Sequence, residues 1–456
     1  MGVNTGFHWE CHSDAHKFLI DILQECYSAN PVIYHLNESF LERTSSSLFY
    51  WVDHFVVDFA ASIERDLEKC GFEQEAATSA YRVFTHPTAR LPSVVVRDEY
   101  EQPTAGVTLK VDNISDFLMS HNVTANIEGI PLSEYRRSCV SEENGVSLWV
   151  VERRGTRSME PSHHEPSYIL DYLKGIEKWQ SRPRDRSDDS EALHITIELA
   201  EQIISVVGLD TAAWMVLDCE RKYWQSRNTA GQLQFSRQNS QGLGWANHLC
   251  HVFRSSRKHF TMFVRLFETL GFHCREKIYA GAEAGWGAQV MENSNAGLEV
   301  LLEVDLIPGE IDTAFSHHPL PELEPLGPIG LWCALHGESL LQAGMHRQVA
   351  WISNEKVWKN SHKTGICMLE PLHESERFKQ GWTKGEIWGV DPKRVQVLVQ
   401  NAHISSPQAE EFLGNGVIGS HLEILECKEG YKGFDKNSLG AFIKQTNPLM
   451  QKTNAL

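Results

Sequence analysis

Hydrophobic positions along this 456-residue chain form two similar patterns, one in each half. Each pattern begins with a strand-like run that contains a Trp, a His and a closing Phe, at residues 51–59 and 245–253. Each run is followed by a segment with helical spacing that ends in Gly-Phe, at residues 63–72 and 263–272. A strand and an amphipathic helix that recur with the same ending indicate an internal duplication.

Further strand-like segments follow each copy of this unit. In the first half they are rich in β-branched residues, and they lie at 93–96, 106–111 and 146–152, with a short predicted helix at 114–119. In the second half they lie at 287–290, 298–304, 345–354, 394–400 and 421–426, and a final helix is predicted at 437–444. This order predicts repeated β-α-β-β modules in both halves.

The segments around these modules have a different character. Residues 13–45 carry apolar side chains at helical spacing, and helices are predicted at 193–207 and 212–223. We therefore expect an α+β protein with four regions. These are N-terminal helices (1–46), a first pair of modules (47–156), a helical region (157–240) and a second pair of modules (241–456).

Composition narrows the class of protein. The net charge of −18 argues against a nucleic-acid surface. Ten cysteines without a C-x-x-C pair argue for a reducing compartment and against a thiolate zinc site. No secretory signal is evident, and no apolar run approaches the roughly 18 residues that a membrane span needs. The expectation is a cytoplasmic protein that binds neither nucleic acid nor membrane.

Three strands of the second half carry potential metal ligands near their middles. These are His248, either His346 or Gln348, and Glu423. Two imidazoles and one carboxylate on neighbouring strands would form a facial triad for Fe(II), with open positions for substrate and O₂. For any single histidine, a hydrogen-bonded structural role is the ordinary alternative.

The duplicated modules resemble the vicinal oxygen chelate superfamily, in which pairs of βαβββ modules form half-barrel domains. The segments 422–426, 433–434 and 439–443 are similar to the C-terminal part of 4-hydroxyphenylpyruvate dioxygenases. This resemblance implies that Glu423 is the carboxylate ligand and that the 437–444 helix caps the site. Asn247-His248 matches the family's Asp-His, which implies that His248 is the first histidine ligand.

The second histidine of that family is not matched directly. Residues 348–351 resemble its His-x-Ala strand, but Gln348 occupies the ligand position. His346 lies two residues earlier and is expected on the same side of a regular strand, whereas Arg347 is expected on the opposite side. Residues 395–398 resemble the strand that carries a substrate-contacting Gln, which makes Gln396 a candidate for that role.

A second resemblance concerns the first half. Residues 152–155, Glu-Arg-Arg-Gly, are similar to a strand ending of the 2-oxoadipate dioxygenase/decarboxylase family of the same superfamily. His54 and Glu152 retain two ligand types, but the strand at 106–111 offers no His or Gln. We therefore predict that the first half is a degenerate scaffold, with His54 as a core or interface residue and Glu152 in an ion pair.

These features lead to a hypothesis of function. The chain is expected to be a non-haem Fe(II)-dependent dioxygenase that acts on a small 2-oxo acid or a related carboxylate with O₂. Gln396, together with Gln348 if it is not a ligand, would hold the substrate. One alternative is a glyoxalase-like lyase or isomerase that uses Zn, Ni or Mn, and another is a non-catalytic small-molecule-binding protein of the same fold. A homodimer is one oligomeric state to test.

Overall fold

The computed structural model describes residues 9–60, 62–97, 105–185, 188–372 and 378–450. The described helices are α1 (Ser13–Ala29), α2 (Pro31–Thr44), α3 (Ile63–Lys69), α4 (Ile114–Ser120), α5 (Ser167–Gln180), α6 (Asp189–Val207), α7 (Leu209–Gln225), α8 (Thr229–Asn239), α9 (Phe260–Thr269), α10 (Pro328–His336), α11 (Asn354–Thr364), α12 (Pro392–Gln400), α13 (Ser406–Asn415) and α14 (Lys436–Gln445).

The described strands are β1 (Val52–Asp58), β2 (Glu73–Ala77), β3 (Tyr81–Thr85), β4 (Ser93–Arg97), β5 (Gly106–Lys110), β6 (Tyr135–Glu143), β7 (Val146–Arg153), β8 (His248–Arg254), β9 (His273–Tyr279), β10 (Trp286–Asn293), β11 (Leu298–Asp305), β12 (Arg347–Trp351), β13 (Phe378–Trp382), β14 (Glu386–Trp388) and β15 (Val417–Cys427).

The strands form two mixed sheets, one in each half of the chain. The first sheet has seven strands in the order β2-β3-β4-β1-β5-β7-β6. The second has eight strands, in the order β13-β15-β12-β8-β11-β10-β9, with β14 paired to β15. In both sheets the first strands of the two modules lie side by side and antiparallel, as β1 with β5 and β8 with β12. The predicted α+β fold with two half-barrel domains built from duplicated modules is confirmed.

Each sheet has two different faces, which we name by what covers them. The outer face of the first sheet packs against α1 to α4, and the outer face of the second packs against α6, α7 and α9. The inner face of the second sheet is covered by α10 and α14. Within the described chain, the inner face of the first sheet carries a small apolar cluster around Val56, Val83 and Val95. The second half is therefore filled on both sides of its sheet.

Contacts between charged groups join the two halves. The Nη2 group of Arg90 donates hydrogen bonds to the two carboxylate oxygens of Glu299, at 2.9 and 2.8 Å. Arg221 on α7 donates to Asp112 at 3.0 Å, and the same carboxylate accepts the backbone N–H of Trp245 at 2.8 Å. The turn before β8 is thus held by a residue that follows β5. The first strands of the two halves consequently have defined positions relative to each other.

Most predicted elements agree with the structure, but the strand at 394–400 is wrong. This segment is helix α12, which begins at Pro392 and is capped by the Asp391 side chain at the N–H of Lys393. Val395 and Leu398 are buried three residues apart, which is the spacing of a helical face. The valines at positions 395, 397 and 399 alternate with other residues as in a strand. In the folded chain, however, Val395 and Leu398 are buried on one face of a helix.

The helices at 13–45 and within 157–240 are confirmed as elements. The elements that were not predicted are β2, β3, β6, β9, β13, β14, α5, α8, α10, α11 and α13. The division of the chain into four regions stays a prediction. Within the described part of the chain, no helix has the length and hydrophobicity to cross a membrane.

Candidate functional site

Glu423 lies on the inner face of the second sheet, in a buried network of charges. One of its carboxylate oxygens pairs with Arg347, and the other accepts a hydrogen bond of 2.5 Å from the Gln380 amide. Arg347 also pairs with Glu303 at 2.6 Å, and Glu303 accepts from Arg254 at 3.1 Å. Both oxygens of Glu423 are therefore engaged. The expectation that Arg347 faces away from Glu423 is wrong, because Arg347 and Glu423 lie on the same face.

His248 lies on the outer face of the same sheet, toward α7. Its ring centroid is 5.7 Å from that of Trp214 and 5.1 Å from that of His251. Its Nδ1 lies 2.8 Å from the carbonyl oxygen of Trp245. Burial lowers the pKa of His248 to about 3, and the positive charge of Lys110 acts in the same direction. At neutral pH this imidazole is therefore uncharged.

A β-bulge explains why His248 and His251 share a face, although three positions of a regular strand would place them on opposite faces. Val349 pairs with Cys250 and Ala350 pairs with His248, so the residue between the two on β8 has no partner on β12. Such an extra residue reverses the alternation of side chains along a strand.

His346 and Gln348 lie in two further environments. The His346 ring packs near Trp332 at 5.2 Å and near His421 at 5.5 Å, on the side of α10. Gln348 is buried on the outer face opposite His251, and neither of its amide atoms has a hydrogen-bond partner in the described structure. Gln396 is exposed on α12. The structure therefore does not bring Gln396 to any of the predicted ligands.

The predicted ligand set does not fit Fe(II). A facial triad requires three ligand atoms that converge on one ion. Among the described residues, the ligand atoms of His, Cys, Asp and Glu form one such group, Glu268, Cys274 and His317, at the protein surface. His248 and Glu423 lie on opposite faces of one sheet, and an arginine neutralises Glu423. The same geometry argues against Zn, Ni or Mn at these positions.

The inner face of the first sheet contains a cavity of about 200 Å³. Its charged lining comes from Asp53, Glu75, Lys110, Arg153 and Arg157. Val83 and Met159 contribute apolar surface, and the turn at 296–297 of the second half contributes to its wall. The half that was predicted to be a scaffold therefore holds a polar cavity on the face where the second half is filled.

Asp53 and Arg153 are tightly paired at one side of this cavity. Arg153 donates to the two carboxylate oxygens at 2.7 and 2.8 Å, and it also donates to the carbonyl oxygen of Thr156 at 3.3 Å. His54 Nδ1 lies 2.7 Å from the same carboxylate. Burial raises the pKa of Asp53, but Arg153 and His54 outweigh it and hold this pKa below its usual range. The pair is thus charged on both partners and neutral overall.

Lys110 is the exception in this lining, because no described residue forms a hydrogen bond or an ion pair with its Nζ. The ammonium lies 5.2 Å from the centroid of the Trp214 ring, a cation–π distance. Burial lowers the pKa of Lys110. A larger cavity of about 540 Å³ includes Trp214 and shares Arg153 with the first.

Two residues of the first half behave as predicted. His54 is buried beside Asp53, and Glu152 is a buried ion-pair residue that contacts Arg136 at 3.0 Å and Arg154 at 2.6 Å. Lys110 was not among the predicted site residues, because lysine is not one of the metal-ligand types that the resemblance implied. The sequence does carry a signal for it, since a lysine interrupts the strand-like run Gly106 to Val111.

Comparisons with solved structures find several similar chains at low identity. A triple mutant of 4-hydroxymandelate synthase from Streptomyces coelicolor is 10% identical over 88% of this chain and 99% of its own, with a TM-score of 0.29. A xylose isomerase-like TIM barrel/4-hydroxyphenylpyruvate dioxygenase fusion protein is 11% identical over 90% of this chain and 54% of its own, with a TM-score of 0.24. Methylmalonyl-CoA epimerase from Mycobacterium tuberculosis is 8% identical over 40% of this chain and 88% of its own, with a TM-score of 0.22.

These matched proteins are members of the vicinal oxygen chelate superfamily, the one that the sequence resembles. At these identities and TM-scores the similarity carries no argument about this chain, and its fold is described from its own strands and helices. No protein-family model and no curated protein match the sequence.

Proposed function

We propose that this chain, whose fold is that of the vicinal oxygen chelate superfamily, binds a small carboxylate in the cavity on the inner face of its first sheet. The observation that carries the proposal is Lys110, a cation that lines the cavity without a counter-ion among the described residues. A partly buried ammonium that has lost water and gained no partner is stabilised by an anionic ligand.

The balance of charge in the lining supports an anion. Arg153 is neutralised by Asp53, and Arg157 is neutralised by Glu75. Lys110 remains as the uncompensated charge. A neutral ligand would leave this charge unpaired, whereas a carboxylate would pair with it. The lining therefore selects for an acid over its neutral amide.

The size of the cavity limits the ligand. A volume of about 200 Å³ corresponds to about six or seven water molecules at about 30 Å³ each. This space suits an acid of a few carbon atoms, such as a small 2-oxo acid. Larger ligands would need the neighbouring 540 Å³ cavity, which shares Arg153.

Calorimetric titration of the full chain with pyruvate and with its neutral amide tests the proposal. We expect Lys110→Gln to weaken pyruvate binding about tenfold, because a hydrogen bond to a charged group is worth roughly 1.5–3 kcal/mol. Lys17→Gln on the exposed side of α1 is the matched control and should bind as the original chain does. Equal binding of acid and amide, or no effect of Lys110→Gln, would contradict an anion site at Lys110.

Turnover of the bound acid is the finer part of the function. The sequence resemblance suggests an Fe(II)-dependent dioxygenase that uses O₂, and this hypothesis stays a prediction. Its ligand set, His248, His346 and Glu423, is not assembled among the described residues, and we derive no step through a metal. Carboxylate binding by Lys110 is common to the enzymatic and the non-catalytic alternatives.

Elemental analysis of protein purified without chelator tests the metal hypothesis. We expect less than one equivalent of iron, zinc, nickel or manganese, because the candidate ligands point to opposite faces of the second sheet. An oxygen electrode should then record no O₂ uptake with pyruvate. One equivalent of iron that is lost on His248→Ala, together with O₂ uptake, would establish the dioxygenase and refute this expectation.

A further inference from the structure

We propose that Lys110 is a nucleophile, and that its amine condenses with the keto carbon of a small 2-oxo acid to form an iminium ion. This inference rests on the proposed binding of a carboxylate in the same cavity. It adds a covalent step and names the substrate class, an acid with a carbonyl next to its carboxylate.

The position of Lys110 distinguishes it from other lysines. Lys222 is held by Asp218 at 2.6 Å, and Lys432 is held by Glu292 at 3.3 Å. The Lys110 Nζ has no such partner in the described chain, and it lies 5.2 Å from the centroid of the Trp214 ring. An amine that is not tied to a carboxylate is free to approach a ligand in the cavity.

A second cation of the lining can hold the carboxylate of the same substrate. Arg157 pairs with Glu75, but the two side chains keep 47% and 34% of their surface exposed. Exposed pairs of this kind are worth about 0–1 kcal/mol, so a ligand carboxylate can replace Glu75. Arg153 is unsuited to this role, because Asp53 occupies its guanidinium in two hydrogen bonds. In the first complex the carboxylate pairs with the Lys110 ammonium. Arg157 takes over this carboxylate once Lys110 has lost its proton, and the Lys110 amine then meets the carbonyl carbon.

The step balances without an oxidant or a further reactant. The Lys110 ammonium first gives one proton to water in the cavity, and the free amine then forms a C–N bond to the keto carbon. The carbonyl oxygen takes up two protons, the one that the ammonium gave to water and a second one from the attacking nitrogen, and it leaves as water when the C–O bond breaks. The product is an iminium ion that carries the single positive charge the ammonium had before.

The burial of Lys110 favours the first event of this step, the loss of a proton from its ammonium group. Burial lowers the pKa of Lys110, so loss of its proton costs less than for a lysine in water. Desolvation of this kind is how lysines are activated for imine chemistry in proteins. The charged product stays in a lining that already accommodates one cation beside Asp53.

Reductive trapping tests the inference. The full chain is incubated with pyruvate and sodium cyanoborohydride, and the product is analysed by intact mass and peptide mapping. We expect one reduced pyruvate adduct per chain, located at Lys110. Lactate has the same carboxylate but no keto group, so it should give no adduct. Lys110→Arg should abolish the adduct.

Lys432 provides the matched control, because burial also lowers its pKa while Glu292 holds its ammonium. Lys432→Arg should leave the adduct at Lys110 unchanged. Pyruvate that binds by calorimetry without forming an adduct at Lys110, or that modifies Lys432 equally, would overturn the nucleophile and leave the carboxylate site standing. Absence of pyruvate binding would overturn both proposals.

Discussion

Charged residues inside this protein differ chiefly in whether a partner is within reach. Glu423 was expected to hold a metal, but Arg347 and Gln380 occupy its two oxygens. Lys110 was not among the predicted site residues, yet it lines a cavity and has no ion-pair partner among the described residues. Residue type alone does not separate these roles, because the partners are distant in sequence. What a charged side chain can bind therefore depends on which side chains lie next to it in the folded chain.

The Arg347 network predicts a strong effect on stability. Replacing Arg347 by Met removes the partner of Glu423 and one partner of Glu303, and a buried carboxylate without a partner is costly. We expect a loss of about 3–5 kcal/mol in the free energy of unfolding, measured by urea denaturation. The double variant Arg347→Met with Glu423→Gln removes the stranded charge and should recover part of the loss.

If Glu423 were instead a metal ligand, a chelator would lower the melting temperature of the original chain. The network predicts no effect of EDTA. A clear drop with EDTA, reversed by added metal, would argue against the ion-pair role of Glu423.

At the scale of elements, local irregularities decide which side chains meet. The β-bulge in β8 places His248 and His251 on one face, although three positions of a regular strand would separate them. Helix α12 occupies a segment whose valines also suit a strand. Val395 and Leu398 are buried, and Gln396 and Val397 are exposed. The bulge in β8 and the helical form of α12 therefore change the roles expected of His248 and Gln396.

Substitutions at Gln396 test the helix. Alanine is the best helix former and valine is about 0.5 kcal/mol less favourable, whereas strands prefer valine. At this exposed position we expect Gln396→Ala to be more stable than Gln396→Val by that amount in urea unfolding. The opposite order would favour the strand that was predicted here. Neither change should affect pyruvate binding.

At the scale of the whole molecule, the two halves share a topology but differ in what covers their inner faces. Trp332 of α10 and Phe442 of α14 fill the second half, where Phe442 stacks on Trp382 at 4.6 Å. The first half has no comparable helix among the described elements on that face, and its cavity remains. The predicted division into a scaffold half and a site half is thus reversed in our proposal.

Buried neutral histidines in both halves predict acid sensitivity of the whole fold. Burial lowers the pKa of His421 to about 3, from 6.5 in an unfolded chain. The unfolded chain therefore binds a proton that the folded chain does not, so stability is lost as pH falls below 6.5 toward 3. At pH 5 each such histidine lowers the unfolding free energy by about 2 kcal/mol relative to pH 7.

Urea unfolding at pH 7 and at pH 5 checks this expectation. The difference between the two pH values should shrink by about 2 kcal/mol in His421→Phe, because one titrating group is gone. Equal differences in the original chain and in His421→Phe would contradict a lowered pKa of His421.

The sequence by itself determined the duplication, the α+β class, the half-barrel modules and most of their strands. These follow from local periodicity, which a strand or a helix imposes on its own residues. It also determined that Glu152 is paired and that His54 is internal. The strands and helices are predictable because the spacing of apolar and polar residues within a short segment is set by that segment's own secondary structure.

Only the tertiary structure decided which residues meet. The partners of Glu423, the face of His248 and the isolation of Lys110 depend on strand register, a bulge and two covering helices. A one-residue change of register moves a side chain to the other face of a sheet, so no pattern along the chain specifies these contacts. The candidate site therefore emerged in the half where periodicity alone had suggested a scaffold.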